Sequence, residues 1–278
     1  MIKRIYFLTS EIIPFAETYQ LAIFSKEIPI VFNERKYDFR LMMPKYNFIS
    51  ERRYILREVI RLREMDLQYR GENIKASVKS AFIPNTKVQV YFLEHPYYFN
   101  NSDKNLYPTE CVSDEYLNSV RFGYFAMAAL KTLSYLRWKP EVIICNDWQM
   151  SLIPLFIQSN LVDKEYCEGI KILQIIHSKV DCSNFKVTEY QKIGLNNLDL
   201  SKSVDGRLDV VAAAMPYCDH VLIINKNENL LEKYQKDPIF SEIMKQDKKK
   251  FSSYELNGES PEDWQKLADE IINIMEQL

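Results

Sequence analysis

The sequence predicts an α/β protein built on a doubly wound, Rossmann-like, mostly parallel sheet that carries a β-hairpin insertion. Short apolar runs recur along the chain at Ile5–Leu8, Asp38–Met42, Val88–Leu93, Val142–Cys145, Ile172–Ile176 and His220–Ile224. Each is nearly continuously apolar rather than alternating, as expected of strands covered on both faces. Stretches with helical spacing, among them Asp114–Leu136, Trp148–Gln158 and Leu208–Tyr217, separate most of them. Alternation of strand and helix specifies parallel crossover units.

One region interrupts the alternation. Tyr54–Leu67 and Ile74–Ile83 read as strands joined through Gly71, with a further turn at Pro84-Asn85. This is the hairpin insertion, and Arg57, Arg61, Arg63 and Arg70 make it basic. A solvated charged face is the plain reading of those arginines. The main domain is expected over residues 1–235 and a polar linker over 236–260, which includes the charge run Lys248-Lys249-Lys250. A helix over 261–278 is then expected to dock on the domain. Ser260 serves as its N-cap and Pro261 as its first residue, with acids in the first turn. Its apolar face is formed by Trp264, Leu267, Ala268, Ile271, Ile272, Met275 and Leu278.

Composition narrows the function classes. A chain of 278 residues with 47% hydrophobic content supports a substantial core. A net charge of −2 argues against an electrostatically driven nucleic-acid binder. No run approaches the ~20 apolar residues of a membrane span. The start, Met1-Ile2-Lys3-Arg4-Ile5, runs straight into a strand without a secretory pattern, so a cytoplasmic location is expected. The five cysteines, Cys111, Cys145, Cys167, Cys182 and Cys218, form no C-x-x-C pair and read as reduced thiols. The three histidines, His95, His177 and His220, lie far apart. No metal site and no cofactor are expected.

The segment behind the first strand reads Glu11-Ile12-Ile13-Pro14-Phe15-Ala16-Glu17-Thr18-Tyr19-Gln20-Leu21. It resembles the opening of bacterial glycogen synthases and plant starch synthases, E-x-x-P-F-A-K-T-G-G-L. Glu17 stands where that family has Lys, and Tyr19-Gln20 stand where it has Gly-Gly. Met43-Pro44-Lys45-Tyr46 is similar to the family's L-P-x-Y, and Tyr91–Phe99 to its Y-F-x-x-x-P-x-Y/F-F segment. Asn118, Arg121 and Phe122 match D-N-x-x-R-F, with Leu117 in place of the Asp. The most specific match is Trp138-Lys139-Pro140-Glu141 leading through Val142 to Asn146-Asp147-Trp148-Gln149, which resembles W-K-P-D-I-I-H-x-N-D-W-Q. Gln174–Ser178 is similar to a strand end T-I-H-N, with His177 kept. Val211–Asp219 resembles L-K-G-G-I-x-x-A-D without its lysine and glycines.

The resemblance implies half of a GT-B glycosyltransferase fold, the starch synthase catalytic N-terminal domain, with the C-terminal donor-binding domain absent. It implies a degenerate donor loop at Glu11, Glu17, Thr18, Tyr19 and Gln20. No glycine precedes Gly71, so the close approach of backbone N–H groups to a diphosphate, which a missing Cβ permits, is lost there. Candidate sugar-binding residues are Asn118, Arg121, Asn146, Asp147, Trp148, Gln149 and His177. For each a structural reading stands beside the functional one. Asp147 caps a helix or lines a site, and Trp148 packs in the core or stacks on a sugar. His177 is a satisfied half-buried ring or a donor to a hydroxyl. Arg121 is a structural ion-pair partner or a ligand contact. No acid–base pair can be nominated as catalytic. The implied ligands are a glucan or a nucleotide sugar, held weakly. Three functions are consistent with these residues: a degenerate domain that does not transfer glucose from ADP-glucose alone, an active half whose donor domain is a separate glycosyltransferase chain, and a structural or regulatory protein-binding subunit with no sugar ligand.

Overall fold

In the computed structural model the apolar runs assemble into one ten-stranded sheet. The structure describes residues 3–100, 105–108, 117–159, 161–226 and 228–278. The strands in chain order are β1 (Arg4–Leu8), β2 (Asp38–Pro44), β3 (Arg57–Glu58), β4 (Met65–Tyr69), β5 (Glu72–Phe82) and β6 (Gln89–Glu94). They continue with β7 (Val142–Asn146), β8 (Lys171–Ile176), β9 (Asn184–Lys186), β10 (Arg207–Asp209), β11 (His220–Asn225) and β12 (Phe251–Glu255). The α-helices are α1 (Leu21–Glu34), α2 (Glu51–Tyr54), α3 (Asn118–Leu136), α4 (Leu152–Gln158) and α5 (Lys164–Cys167). They continue with α6 (Val187–Lys192), α7 (Val210–Ala214), α8 (Leu230–Lys236), α9 (Pro238–Gln246) and α10 (Pro261–Gln277).

The sheet runs β12-β11-β8-β7-β1-β2-β6-β5-β3, with β4 pairing β5 off that path. From β12 to β6 every pairing is parallel; β5 is antiparallel to β6, and β3 and β4 are antiparallel to β5. β9 and β10 form a separate antiparallel pair. β1 lies between β2, which follows it in sequence, and β7, which comes much later. The strand order therefore reverses at β1 and β7, and a crevice opens beyond their carboxyl ends. Helix α3 is buried along most of its length. Gly123 permits its closest approach, since a Cβ there would meet the Tyr69 hydroxyl at 2.5 Å, and that hydroxyl donates to the Val120 carbonyl at 2.6 Å.

The hairpin turns at Arg70-Gly71, both with positive φ (55° and 80°), the backbone of a tight two-residue hairpin loop. Tyr54–Leu67 is not one strand. Ser50 caps the short helix α2, and the positive φ of Ile55 and Glu64 breaks the extended backbone on both sides of β3. The expected helix from Leu208 begins instead at Val210, because Leu208 pairs in β10 and the Asp209 carboxylate caps α7. Trp148 opens a 3-10 turn, and α4 begins only at Leu152. The start of the Asp114–Leu136 stretch lies partly outside the described residues, and α3 begins at Asn118.

Residues 236–260 depart from the linker reading. Asp237 caps α9 with Pro238 in its first turn, and Phe240 and Ile243 are buried. Phe251–Glu255 then adds to β11 as a parallel strand. Its polar composition suits a strand at the edge of the sheet, where one side meets water. Helix α10 follows, held by a reciprocal Ser260–Asp263 capping box. It packs on α1 with Trp264, Leu267, Ala268, Ile271 and Met275 buried. No helix among the described residues is long and apolar enough to cross a membrane.

The α10 contact sets a stability prediction. Trp264 is 3% exposed, so Trp264→Ala should cost ~3–5 kcal/mol. Deleting residues 261–278 would strip the apolar face of α1 and should cause a marked fall in melting temperature or aggregation. An unchanged urea-unfolding curve for both variants would show that the helix adds nothing to the domain.

Candidate functional site at the carboxyl ends of β1, β7 and β8

The chain leaving β1 passes through Thr9, Ser10 and Glu11, all fully buried. The Glu11 carboxylate accepts from the Thr18 backbone N–H, from the Thr18 hydroxyl at 2.6 Å and from the Tyr107 hydroxyl at 2.5 Å. These bonds fold the Ile12–Thr18 segment back over its own beginning. Glu17 is left exposed at the surface. Tyr19 turns the other way and donates its hydroxyl to Asp147 Oδ2 at 2.5 Å, and Gln149 Nε2 donates to the same hydroxyl at 3.2 Å.

Asp147 follows β7 with φ 58° and ψ −174°, a region of backbone space that a side chain rarely adopts and that costs of order 1–3 kcal/mol. Its surroundings hold it there. The Asp147 N–H donates to the Ile175 carbonyl at 2.7 Å, and Gln174 Nε2 donates to the Asp147 carbonyl at 2.9 Å. Oδ1 accepts from the backbone N–H groups of His177 and Ser178, both at 3.2 Å, and Oδ2 accepts from the Ser178 hydroxyl at 2.6 Å. Burial raises the Asp147 pKa above the ordinary carboxylate value, against the Ser178, Tyr19 and backbone bonds that lower it. Burial likewise raises that of Glu11, against its bonds to Thr18 and Tyr107, with the Asp147 charge adding to the rise. Burial pushes the Tyr19 phenol well above its usual value, so it stays a hydroxyl donor.

The sequence candidates separate into two groups. Asn146, Asp147, Trp148 and Gln149 are brought together with Tyr19, but in a closed arrangement. Asn146 Nδ2 donates to the Leu8 carbonyl at 2.9 Å, tying β7 to β1. Trp148 is 2% exposed and meets Tyr107, Phe122 and Phe185 edge-on, with ring centroids 5.4 to 6.3 Å away. It is a core residue with no face free for a sugar, as the packing reading has it. Arg121 is fully buried and donates to the carbonyls of Tyr98 and Leu106 at 2.6 and 3.1 Å, so it joins two points of the chain after β6. His177 packs on Phe24 with centroids 4.4 Å apart. Both its ring nitrogens are buried without a hydrogen-bond partner, and burial lowers its pKa to about 3, which leaves the ring neutral. Asn146 Oδ1 and Gln20 Nε2 are also buried without a partner.

Asn118 is largely buried. Its Nδ2 donates to the Pro108 carbonyl at 3.0 Å, while Oδ1 has no partner. It lines a cavity of about 390 Å³ with Asp181, Asn184, Glu189 and Arg207. A cavity of about 620 Å³ shares Asp181, Asn184 and Arg207 and extends to Lys179, Asp209 and Lys236. Sequence reasoning missed most of this cluster because, Asn118 apart, its residues belong to no motif. It also missed Tyr107, which bonds Ser10 and Glu11 and packs on Trp148. Ser178 was visible as a departure from T-I-H-N, and its hydroxyl is what meets Asp147.

Two predictions follow from this geometry. Asp147→Ala removes the acceptor of two hydroxyls and two backbone N–H groups. Each donor left buried costs ~1–3 kcal/mol, so urea denaturation should show a loss of about 3 kcal/mol or more, with Asp147→Asn losing less. The second concerns Asp209, whose pKa burial raises from the ordinary value to about 6, against the Ser183 and backbone bonds that lower it. Between those two values the folded state holds the proton that the unfolded state has released. Its contribution to stability is therefore present below the ordinary value and declines as pH rises through about 6, by up to ~1.4 kcal/mol per pH unit. Asp209→Asn keeps the cap and should flatten the melting temperature across that window; an unaltered profile would contradict the assignment.

A profile of the starch synthase catalytic domain matches residues 4–228. A glycogen synthase from Chlorobium luteolum is 33% identical over 181 residues, which is 63% of this chain and 36% of that protein. A glycogen synthase from Chlorobaculum parvum is 26% identical over 275 residues, 97% of this chain and 55% of that one. The catalytic domain of starch synthase IV from Arabidopsis thaliana bound to ADP and acarbose superposes with a TM-score of 0.73 at 18% identity, covering 91% of this chain and 51% of that chain. At that identity the likeness shows the fold, a GT-B glycosyltransferase half. The chain spans about half the length, or less, of these relatives. With the profile matching most of its residues, the chain belongs to the starch synthase catalytic domain family.

Proposed function

We propose that this chain is a glycogen/starch synthase-like domain that keeps a glucan-facing cavity and does not by itself transfer glucose from ADP-glucose. The observation that carries this reading is the Tyr19 hydroxyl on Asp147 at 2.5 Å. A phenol ring fills the strand ends where glycines would leave room for a diphosphate. Glu17 adds an exposed negative charge to the same loop. A charge pair at ~4 Å in an effective dielectric of ~20 is worth roughly 4 kcal/mol before screening, so a carboxylate in place of an ammonium opposes a nucleotide sugar strongly. On the open side, the amide and carboxylate groups of Asn118, Asp181 and Asn184 offer the hydrogen bonds that a neutral polyol requires.

The test is a titration. ADP-glucose should give no calorimetric signal at micromolar concentration, and glycogen elongation should stay far below ~1 s⁻¹, the lower end of ordinary enzyme turnover. Maltooligosaccharides should bind near millimolar, about 4 kcal/mol, with NMR shifts clustered at Asn118, Asp181, Asn184 and Arg207 and weakened by Asn118→Ala. Turnover at ordinary enzyme rates would overturn the first half of the reading. Shifts confined to the hairpin around Gly71 would overturn the second.

A further inference from the structure

The hairpin side of the sheet carries a surface that the glycosyltransferase reading does not use. Ile60 is 87% exposed, Ile55 65% and Phe82 57%. These are three of the large apolar side chains most open to water among the described residues, and they share one corner. Arg57 pairs with Ser80 and Glu58 with Lys79, which brings the Ile55–Arg63 segment alongside the Phe82 end of β5. Phe82 lies two residues from Ser80 on β5 and thus on the same sheet face as Arg57. In the 3-10 turn that follows β3, Leu62 is buried while Ile60 points out.

Arginines surround these side chains. Arg52, Arg53, Arg57, Arg61 and Arg63 are all exposed. The nearby acids are largely committed elsewhere. Glu51 pairs with Lys45 and Lys79, Glu94 with Lys79, and Glu58 with Arg63. Among the described residues, Arg52, Arg53, Arg57 and Arg61 make no ion pair, and Arg53 instead lies over the Tyr54 ring at 5.2 Å. β3 is the last strand of the sheet, so its outer edge presents unpaired backbone groups.

From this juxtaposition we infer that the Ile55–Arg63 corner with Phe82 is a docking surface for an acidic, apolar-containing segment of a partner protein, laid along β3 in extended form. Arginine with exposed apolar and aromatic side chains is the composition of an interface. Free guanidinium groups match carboxylates in bidentate geometry. An open strand edge adds main-chain hydrogen bonds that an extended peptide can use and a lipid headgroup cannot. A nucleic acid would use the arginines but has no use for three exposed apolar side chains, and the chain's net charge of −2 opposes it.

The experiment is fluorescence anisotropy of the whole chain with a short fluorescein-labelled peptide of alternating Glu, Leu and Phe. The same peptide with Lys for Glu and phosphatidylserine vesicles serve as competing probes. The acidic peptide should bind, and the Lys peptide at least about tenfold more weakly. Affinity should fall steeply with salt, as exposed charge pairs do. Arg57→Glu with Arg61→Glu, and separately Ile60→Ser with Phe82→Ser, should each weaken binding about tenfold or more, the scale of a lost hot spot. These side chains are exposed, and circular dichroism should report an unchanged fold for both variants. Equal binding of the two peptides, variants that bind like the parent, or capture by vesicles and not by the peptide would each overturn the assignment.

Discussion

The carboxylate of Asp147 is the point on which the carboxyl end of the sheet depends. Four donors from two parts of the chain converge on it: the Tyr19 hydroxyl from the loop before α1, and the Ser178 hydroxyl with the His177 and Ser178 N–H groups from the end of β8. Its own backbone sits at φ 58°. A strained conformation of this kind persists only where the surroundings over-determine it, and here the same bonds that use the carboxylate fix the backbone. A buried carboxylate is costly unless fully hydrogen-bonded. The closed arrangement of Tyr19, Gln149 and Ser178 is thus a requirement of burying Asp147 at all, not a consequence of loose packing around it.

Glu11 repeats the solution one strand away. It too is fully buried, and it too is satisfied by a loop hydroxyl and a tyrosine, Thr18 and Tyr107. The tyrosines then meet each other edge-on, with centroids 6.3 Å apart. Both acids keep pKa values raised by burial, as expected where hydroxyls rather than cations answer the charge. Here the segment from Glu11 to Tyr19 is tied down at both ends by its own side chains.

Much of the fold is legible because burial on both faces leaves a local record. Val142–Asn146 and Lys171–Ile176 are apolar for nearly their whole length, since helices cover both sides of them. What escapes the sequence does so for identifiable reasons. β12 reads as linker because Phe251-Ser252-Ser253-Tyr254-Glu255 lies at the sheet edge, where polar side chains are tolerated and the strand is recognised only through its pairing with β11. The break in Tyr54–Leu67 turns on Ile55 in the left-handed region, a conformation that local propensity disfavours for a β-branched residue. The site is legible only in outline. Asn146–Gln149 stands out as a motif, but whether Trp148 offers a face or hides it is decided by Tyr107, Phe122 and Phe185, which are distant in sequence. The Tyr19–Asp147 bond joins positions 128 residues apart, and no periodicity reports it.

The nature of that bond bears on what opening the site would require. A carboxylate accepts, and the Tyr19 phenol, whose pKa burial pushes well above its usual value, can only donate to it. A sugar hydroxyl would present the same O–H to the same oxygen. Tyr19 therefore supplies from within the chain the donor that an incoming polyol would otherwise bring. Displacing it leaves Asp147 short of a donor until a ligand replaces it, and a ligand without a hydroxyl at that point cannot compensate. A phosphate, fully ionised and rich only in acceptors, is the worst replacement, since it would face Asp147 and Glu11 with no proton to share. The neighbouring ring nitrogens of His177 and the Asn146 oxygen, buried without partners, add donors or acceptors that a hydroxyl-bearing group can satisfy. The proposed preference for neutral hydroxyl groups over phosphate thus rests on the fixed arrangement of donors and acceptors at these strand ends rather than on the shape of a pocket.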